Sequence, residues 1–201
     1  MPYEYPKETP SQTAGPFVHI GTMPRIAGFK VFDTELGQTP ATEGVPGIRI
    51  KIECRLFDGT GAPIKDALVE TWQADGEGRY AHPEDPRVDE VPEGFTGFGR
   101  YHTDFDTGLF TIETIKPGAI PGRHGRSQAP HLSIWMVARG INIGLHTRMY
   151  FPDEENDGDP VLGMVEQVHR RATLVAESTG ENAYRFDIHL QGPQETVFLD
   201  I

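Results

Sequence analysis

APHLSIWMVARGINIGLHTRMYF, residues 129–151, contains the longest strongly apolar run of the chain. Leu132, Ile134, Met136 and Ala138 alternate there with Ser133, Trp135, Val137 and Arg139. Successive side chains of a strand point to opposite faces, so a run apolar at both sets of positions reads as a strand buried on both sides. His131 stands at its head, two residues before Ser133. Arg139-Gly140 then turns the chain into a second apolar run, 145–151.

The flanking sequence repeats this β pattern. Residues 48–57 alternate cleanly, with Ile48, Ile50, Ile52, Cys54 and Leu56 on one face and Arg49, Lys51, Glu53 and Arg55 on the other. That spacing predicts a half-exposed strand. Further strands are predicted at 67–74, with Trp72 as a core anchor, and at 98–103, 109–116, 171–176, 184–190 and 196–199. Asp58-Gly59-Thr60-Gly61 and Asp75-Gly76-Glu77-Gly78 supply tight turns. Residues 19–47 and 117–130 show no period and read as loops. The one helix candidate is 161–170, where Val161, Met164, Val165 and Val168 share a face, Pro160 suits the first turn and Asp159 is placed to cap it. Residues 1–17, with four prolines, read as an extended arm. Many short strands separated by turns predict an all-β protein: a single antiparallel β-sandwich domain over 1–201 with an N-terminal arm and a short helix near the C-terminal third.

Bulk properties narrow the function. The net charge is −12, which leaves no basic stripe to displace counterions from nucleic acid. No apolar run is long enough to span a membrane, and the N-terminus lacks a basic segment followed by an apolar one, so a cytoplasmic protein is expected. One cysteine, Cys54, excludes an internal disulfide. Phosphate-binding glycine loops, paired zinc cysteines, His-Glu-x-x-His and a nucleophile elbow are all missing. From pattern alone the reading ends at a cytoplasmic β-sandwich with a long arm.

Several motifs carry it further. Leu68-Val69-Glu70-Thr71-Trp72-Gln73-Ala74-Asp75, Gly78-Arg79-Tyr80, Thr114-Ile115-Lys116-Pro117-Gly118, and Ala129-Pro130-His131 before an apolar strand together resemble the intradiol ring-cleaving dioxygenases. The resemblance covers essentially the whole chain. It implies a ferric enzyme that opens catechols between their hydroxyls, with iron(III) held by two tyrosines and two histidines. Those positions fall on Tyr80, Ile120, His131 and Ser133 in this sequence. Ile120 has no donor atom, and a serine hydroxyl is a poor replacement for imidazole. Tyr80 and His131 are therefore expected to be vestigial, kept for packing or hydrogen bonding.

Glu8 to Pro16, Ala138-Arg139-Gly140-Ile141-Asn142-Ile143 and Thr196-Val197-Phe198 resemble one chain of a two-chain member of the family. That likeness implies that Fe(III) is held by a homologous beta chain, in a higher-order alpha–beta oligomer acting on a catecholic acid and O2. It also implies that Thr13, Gly15, Pro16 and Arg139 approach the substrate. A guanidinium offers paired donors to a carboxylate, which suits Arg139 to that role. Two other readings stand beside this one: a stand-alone ferric enzyme recruiting His124 or His146, and a β-sandwich binding module with no redox role.

Overall fold

The computed structural model describes residues 12–15, 17–122 and 125–200. Most of the predicted arm, with Pro16 and His124, therefore lies outside the described residues.

Two four-stranded sheets face one another. The first is ordered β4-β1-β10-β9, from β1 (Arg49–Phe57), β4 (Leu109–Ile115), β9 (Glu177–Gly180) and β10 (Ala183–His189). The second is ordered β3-β2-β7-β8, from β2 (Leu68–Trp72), β3 (Phe98–His102), β7 (His131–Val137) and β8 (Leu145–Tyr150). Ile50, Ile52, Cys54 and Leu56 point inward from β1, as their alternation requires. They meet Phe110 and Ile112 of β4 and Tyr184, Phe186 and Ile188 of β10, and pack on Val69, Leu132, Ile134, Met136 and Met149 of the second sheet. Burying side chains of this size contributes about 1.5–3 kcal/mol each. Pairing is antiparallel except between β1 and β10, which run parallel with Cys54 opposite Phe186.

Several details depart from the sequence expectations. In β7 only Leu132, Ile134 and Met136 enter the core, while Ser133, Trp135 and Val137 form a half-buried outer face. Trp72 also points outward, where it stacks on Tyr80, so it is no anchor of the main core. The loop 117–130 contains a small hairpin, β5 (Ile120–Pro121) with β6 (Ser127–Gln128). The helix expected at 161–170 is replaced by two 3-10 turns, Leu162–Met164 and Val168–Leu174; the latter also takes most of the strand expected at 171–176.

Asp159 does cap the first of these turns, through the Val161 and Leu162 N–H groups. Extension of that turn stops because the Arg171 guanidinium takes the Gly163 and Val165 carbonyls that later amides would need. The only α-helical segment among the described residues is α1 (Val18–Thr22). The segment 196–199 makes a single bridge, Leu199 to His146, rather than a strand. No helix among the described residues is long and apolar enough to cross a membrane.

Candidate functional site

Two glycine turns build the region around Tyr80. The turn after β2 needs Gly78, which has φ +73°, and Asp75 holds it by accepting the Glu77 and Arg79 N–H groups at 2.9 Å. Gly118 N–H donates to the Asp75 carbonyl at 2.8 Å, laying the second turn against the first. A Cβ on Gly78 would come 2.0 Å from the Ala119 carbonyl oxygen, and one on Gly118 would come 2.5 Å from that of Gly76. Backbone thus touches backbone, and the chain leaving each turn delivers Tyr80 and Ile120 to one cleft of about 570 Å³, shared with Trp72, His82 and Arg87. The Tyr80 and Trp72 rings are parallel within 3°, with centroids 5.9 Å apart. Gly78→Ala combines a left-handed φ with a backbone clash, so it is expected to cost at least about 2 kcal/mol in a urea melt.

His131 and Ser133 leave the head of β7 on the same outer face as Trp72, which is paired with Ser133 in register. His131 is 3 % exposed. Its Nδ1–H donates to the Ala129 carbonyl at 2.7 Å, which leaves Nε2 as a lone pair, buried and without a partner. Burial, reinforced by the Arg148 charge, lowers its pKa to about 4. The folded state therefore binds fewer protons than the unfolded chain between about pH 6.5 and about 4. Stability is full above this window and falls as pH drops through it, with a slope from this group of up to about 1.4 kcal/mol per pH unit. His131→Asn should flatten that part of the stability–pH curve.

These donors do not fit the four-ligand ferric site. Tyr80 offers a phenol whose pKa is raised, first by burial, so its ionised form is disfavoured. His131 offers one lone pair, Ile120 nothing and Ser133 a neutral hydroxyl. Among the described residues no three His, Cys, Asp or Glu side chains converge closely enough to share an ion. His146 sits on β8 opposite Trp135.

The residues read as substrate-facing gather elsewhere. Thr13 Oγ1 accepts from the Gly140 N–H at 2.8 Å and donates to the Ala138 carbonyl at 3.3 Å, which ties the arm to the β7–β8 turn. The Gly15 carbonyl accepts from Val18 N–H at 3.1 Å at the start of α1. Nothing in this chain lies within 4 Å of a Cβ built on Gly15, so its own packing does not require glycine there. Arg139, with a side chain 68 % exposed, pairs its Nε with the Asp66 carboxylate. Thr13 and Arg139 are therefore brought together. Arg139, however, follows His131 by the whole length of β7, roughly 25 Å at about 3.3 Å per residue. Arg139 and the Tyr80 cleft cannot grip one small molecule.

Comparison with known proteins gives the family. A family model described as Dioxygenase matches residues 30–192. The alpha chain of protocatechuate 3,4-dioxygenase from Pseudomonas putida is 45% identical over 205 residues, covering 100% of both chains. This chain belongs to the intradiol dioxygenase family. The alpha chain of the same enzyme from Burkholderia cepacia is 40% identical, over 97% of this chain and 98% of that one. The Burkholderia cepacia beta chain is 35% identical, over 82% of this chain and 74% of its own length. Among solved structures, an intradiol ring-cleavage dioxygenase from Tetranychus urticae shares the fold with a TM-score of 0.59 at 19% identity, covering 80% of this chain and 89% of that one. The family implies non-haem iron in the working enzyme.

Sequence reasoning missed two side chains and half the role of a third. Asp66 partners Arg139, Arg148 stands opposite Ser133, and Asp159, read only as a cap, is also the buried acceptor of the Ala129 N–H and the Tyr150 hydroxyl. A charge inside the apolar run 145–151 was the available sign of Arg148.

Proposed function

We propose that this chain is the alpha subunit of a protocatechuate 3,4-dioxygenase, acting in aromatic catabolism on protocatechuate and O2 to give 3-carboxy-cis,cis-muconate. In this reading a homologous beta chain holds the Fe(III), and the two chains form an alpha–beta oligomer in the cytoplasm. Arg139, Thr13, Gly15 and Pro16 contribute to the wall of the partner's pocket. The supporting observation is the separation along β7: the carboxylate-binding candidate lies roughly 25 Å from the donor-poor ligand positions. A pocket that uses Arg139 must then take its metal from another chain.

The local chemistry agrees. Arg139 already binds one carboxylate, that of Asp66, at an exposed turn. Thr13 fixes that turn through the Gly140 amide, and the open space around Gly15 leaves room for a ligand or a partner backbone. The chain supplies no proton acceptor or nucleophile to the reaction; it binds and orients. Cys54, buried and unpaired, suits a reducing compartment.

Purification of the chain with and without its beta-like partner tests this. The pair is expected to be red-brown from tyrosinate-to-iron charge transfer and to open protocatechuate, and the chain alone to be colourless. Stoichiometric iron in the chain alone would overturn the division of roles.

A further inference from the structure

The ligand positions of this chain lack two donors, and a fixed cation stands beside them. Arg148 stands opposite Ser133 in the β7–β8 ladder. Directly opposed residues of an antiparallel pair project from the same face with Cβ atoms about 5 Å apart. Arg148 therefore emerges beside the position where the family's second histidine would stand. Its Nη1 donates to Gln128 Oε1 at 2.6 Å, which draws the guanidinium towards the segment leading into His131. Its Nε is buried with no hydrogen-bond partner, as is the Nε2 of His131. The Arg148 charge acts on Tyr80, His131 and Tyr150 together, so the guanidinium is within electrostatic range of both surviving donors.

We propose that the Arg148 guanidinium stands where a metal ion would have to sit, and that this built-in cation excludes iron from the chain independently of the two lost donors. A guanidinium stays protonated at any relevant pH, so it cannot vacate its charge. It is tethered by its strand and by Gln128. An incoming ferric ion would face a fixed like charge at close range in a partly dry site, where repulsion is strong. Restoring a tyrosine and a histidine would therefore not suffice to recreate a metal centre.

This rests on the reading that positions 80, 120, 131 and 133 correspond to the family's ligands, and the test separates the two ideas. Iron is counted per alpha–beta pair, with the visible tyrosinate band as a second readout. The unmodified pair and the Ile120→Tyr/Ser133→His pair are each expected to hold one iron. Addition of Arg148→Met to that double variant is expected to raise the count to two and to about double the band. Two irons in the double variant with Arg148 intact would overturn the proposal while upholding the ligand correspondence. One iron in an assembled triple variant would overturn both. Two irons in the unmodified pair would instead sink the division of roles proposed above. Should the triple variant fail to assemble, Ser133→His is compared with and without Arg148→Met for Co2+ uptake by the full chain. Uptake only when Arg148 is replaced is expected, and equal behaviour overturns the proposal.

Discussion

Asp159→Ala is expected to destabilise the chain by about 3–5 kcal/mol, read as a lower urea midpoint with an unchanged slope. The side chain is 4 % exposed and accepts four hydrogen bonds. Its Oδ2 takes the Ala129 N–H at 2.8 Å; its Oδ1 takes the Val161 and Leu162 N–H groups at 2.8 Å and the Tyr150 hydroxyl at 3.1 Å. Alanine leaves these donors facing a dry space. Each unpaired buried donor costs about 1–3 kcal/mol, and relief of the carboxylate's own desolvation keeps the total below their sum. Asp159→Asn should fall between, since one oxygen can still serve the 3-10 turn. The damage should reach the head of β7, because Ala129 is one of the donors. A shift under about 1 kcal/mol for Asp159→Ala would show that water replaces the carboxylate.

Arg139→Ala, made in the assembled enzyme, is expected to raise KM for protocatechuate about tenfold to a hundredfold, with a smaller change in kcat. Loss of one charged partner from a hydrogen-bonded pair that closes on binding costs about 2–5 kcal/mol, and partial exposure places this case toward the low end. Iron content should not change, since Arg139 meets the substrate's carboxylate and not the metal. A catechol without the carboxylate should bind equally well to both forms, which separates a lost ion pair from general damage. Arg139→Lys should recover part of the loss, because a lysine keeps the charge but not the planar fork. Unchanged saturation by protocatechuate would place Arg139 outside the pocket.

What could be read from sequence depended on how local the determining force is. The strand β1 was legible because Ile50, Ile52, Cys54 and Leu56 alternate with charge, and period two has no competing interpretation. The hairpin of β5 and β6 was not legible: two-residue strands have no period to detect. Residues 161–170 carry helical spacing, yet the competitor that ends the first turn is a side chain from outside that window, Arg171. Trp72 reads as a core anchor from its size and apolarity, yet Glu70, two residues before it on the same face, points to the outer side. Among the site positions, Tyr80, Ile120, His131 and Ser133 came from motif likeness, as did Thr13 and Arg139. Arg148 could not, since its significance comes from β7–β8 register, a non-local fact.

The parallel pairing of β1 with β10 has a consequence for biogenesis. Lys51 to Phe57 find their partners at Ala183 to His189, more than a hundred residues later. While the ribosome is still working, that flank of an otherwise zippered sheet has nothing to pair with. Bare strand flanks with apolar inner faces are the usual seeds of aggregation, and contacts this distant form late. Premature release would thus leave a half-closed sandwich rather than a smaller stable one, which gives the cell reason to keep chaperones close to the growing chain.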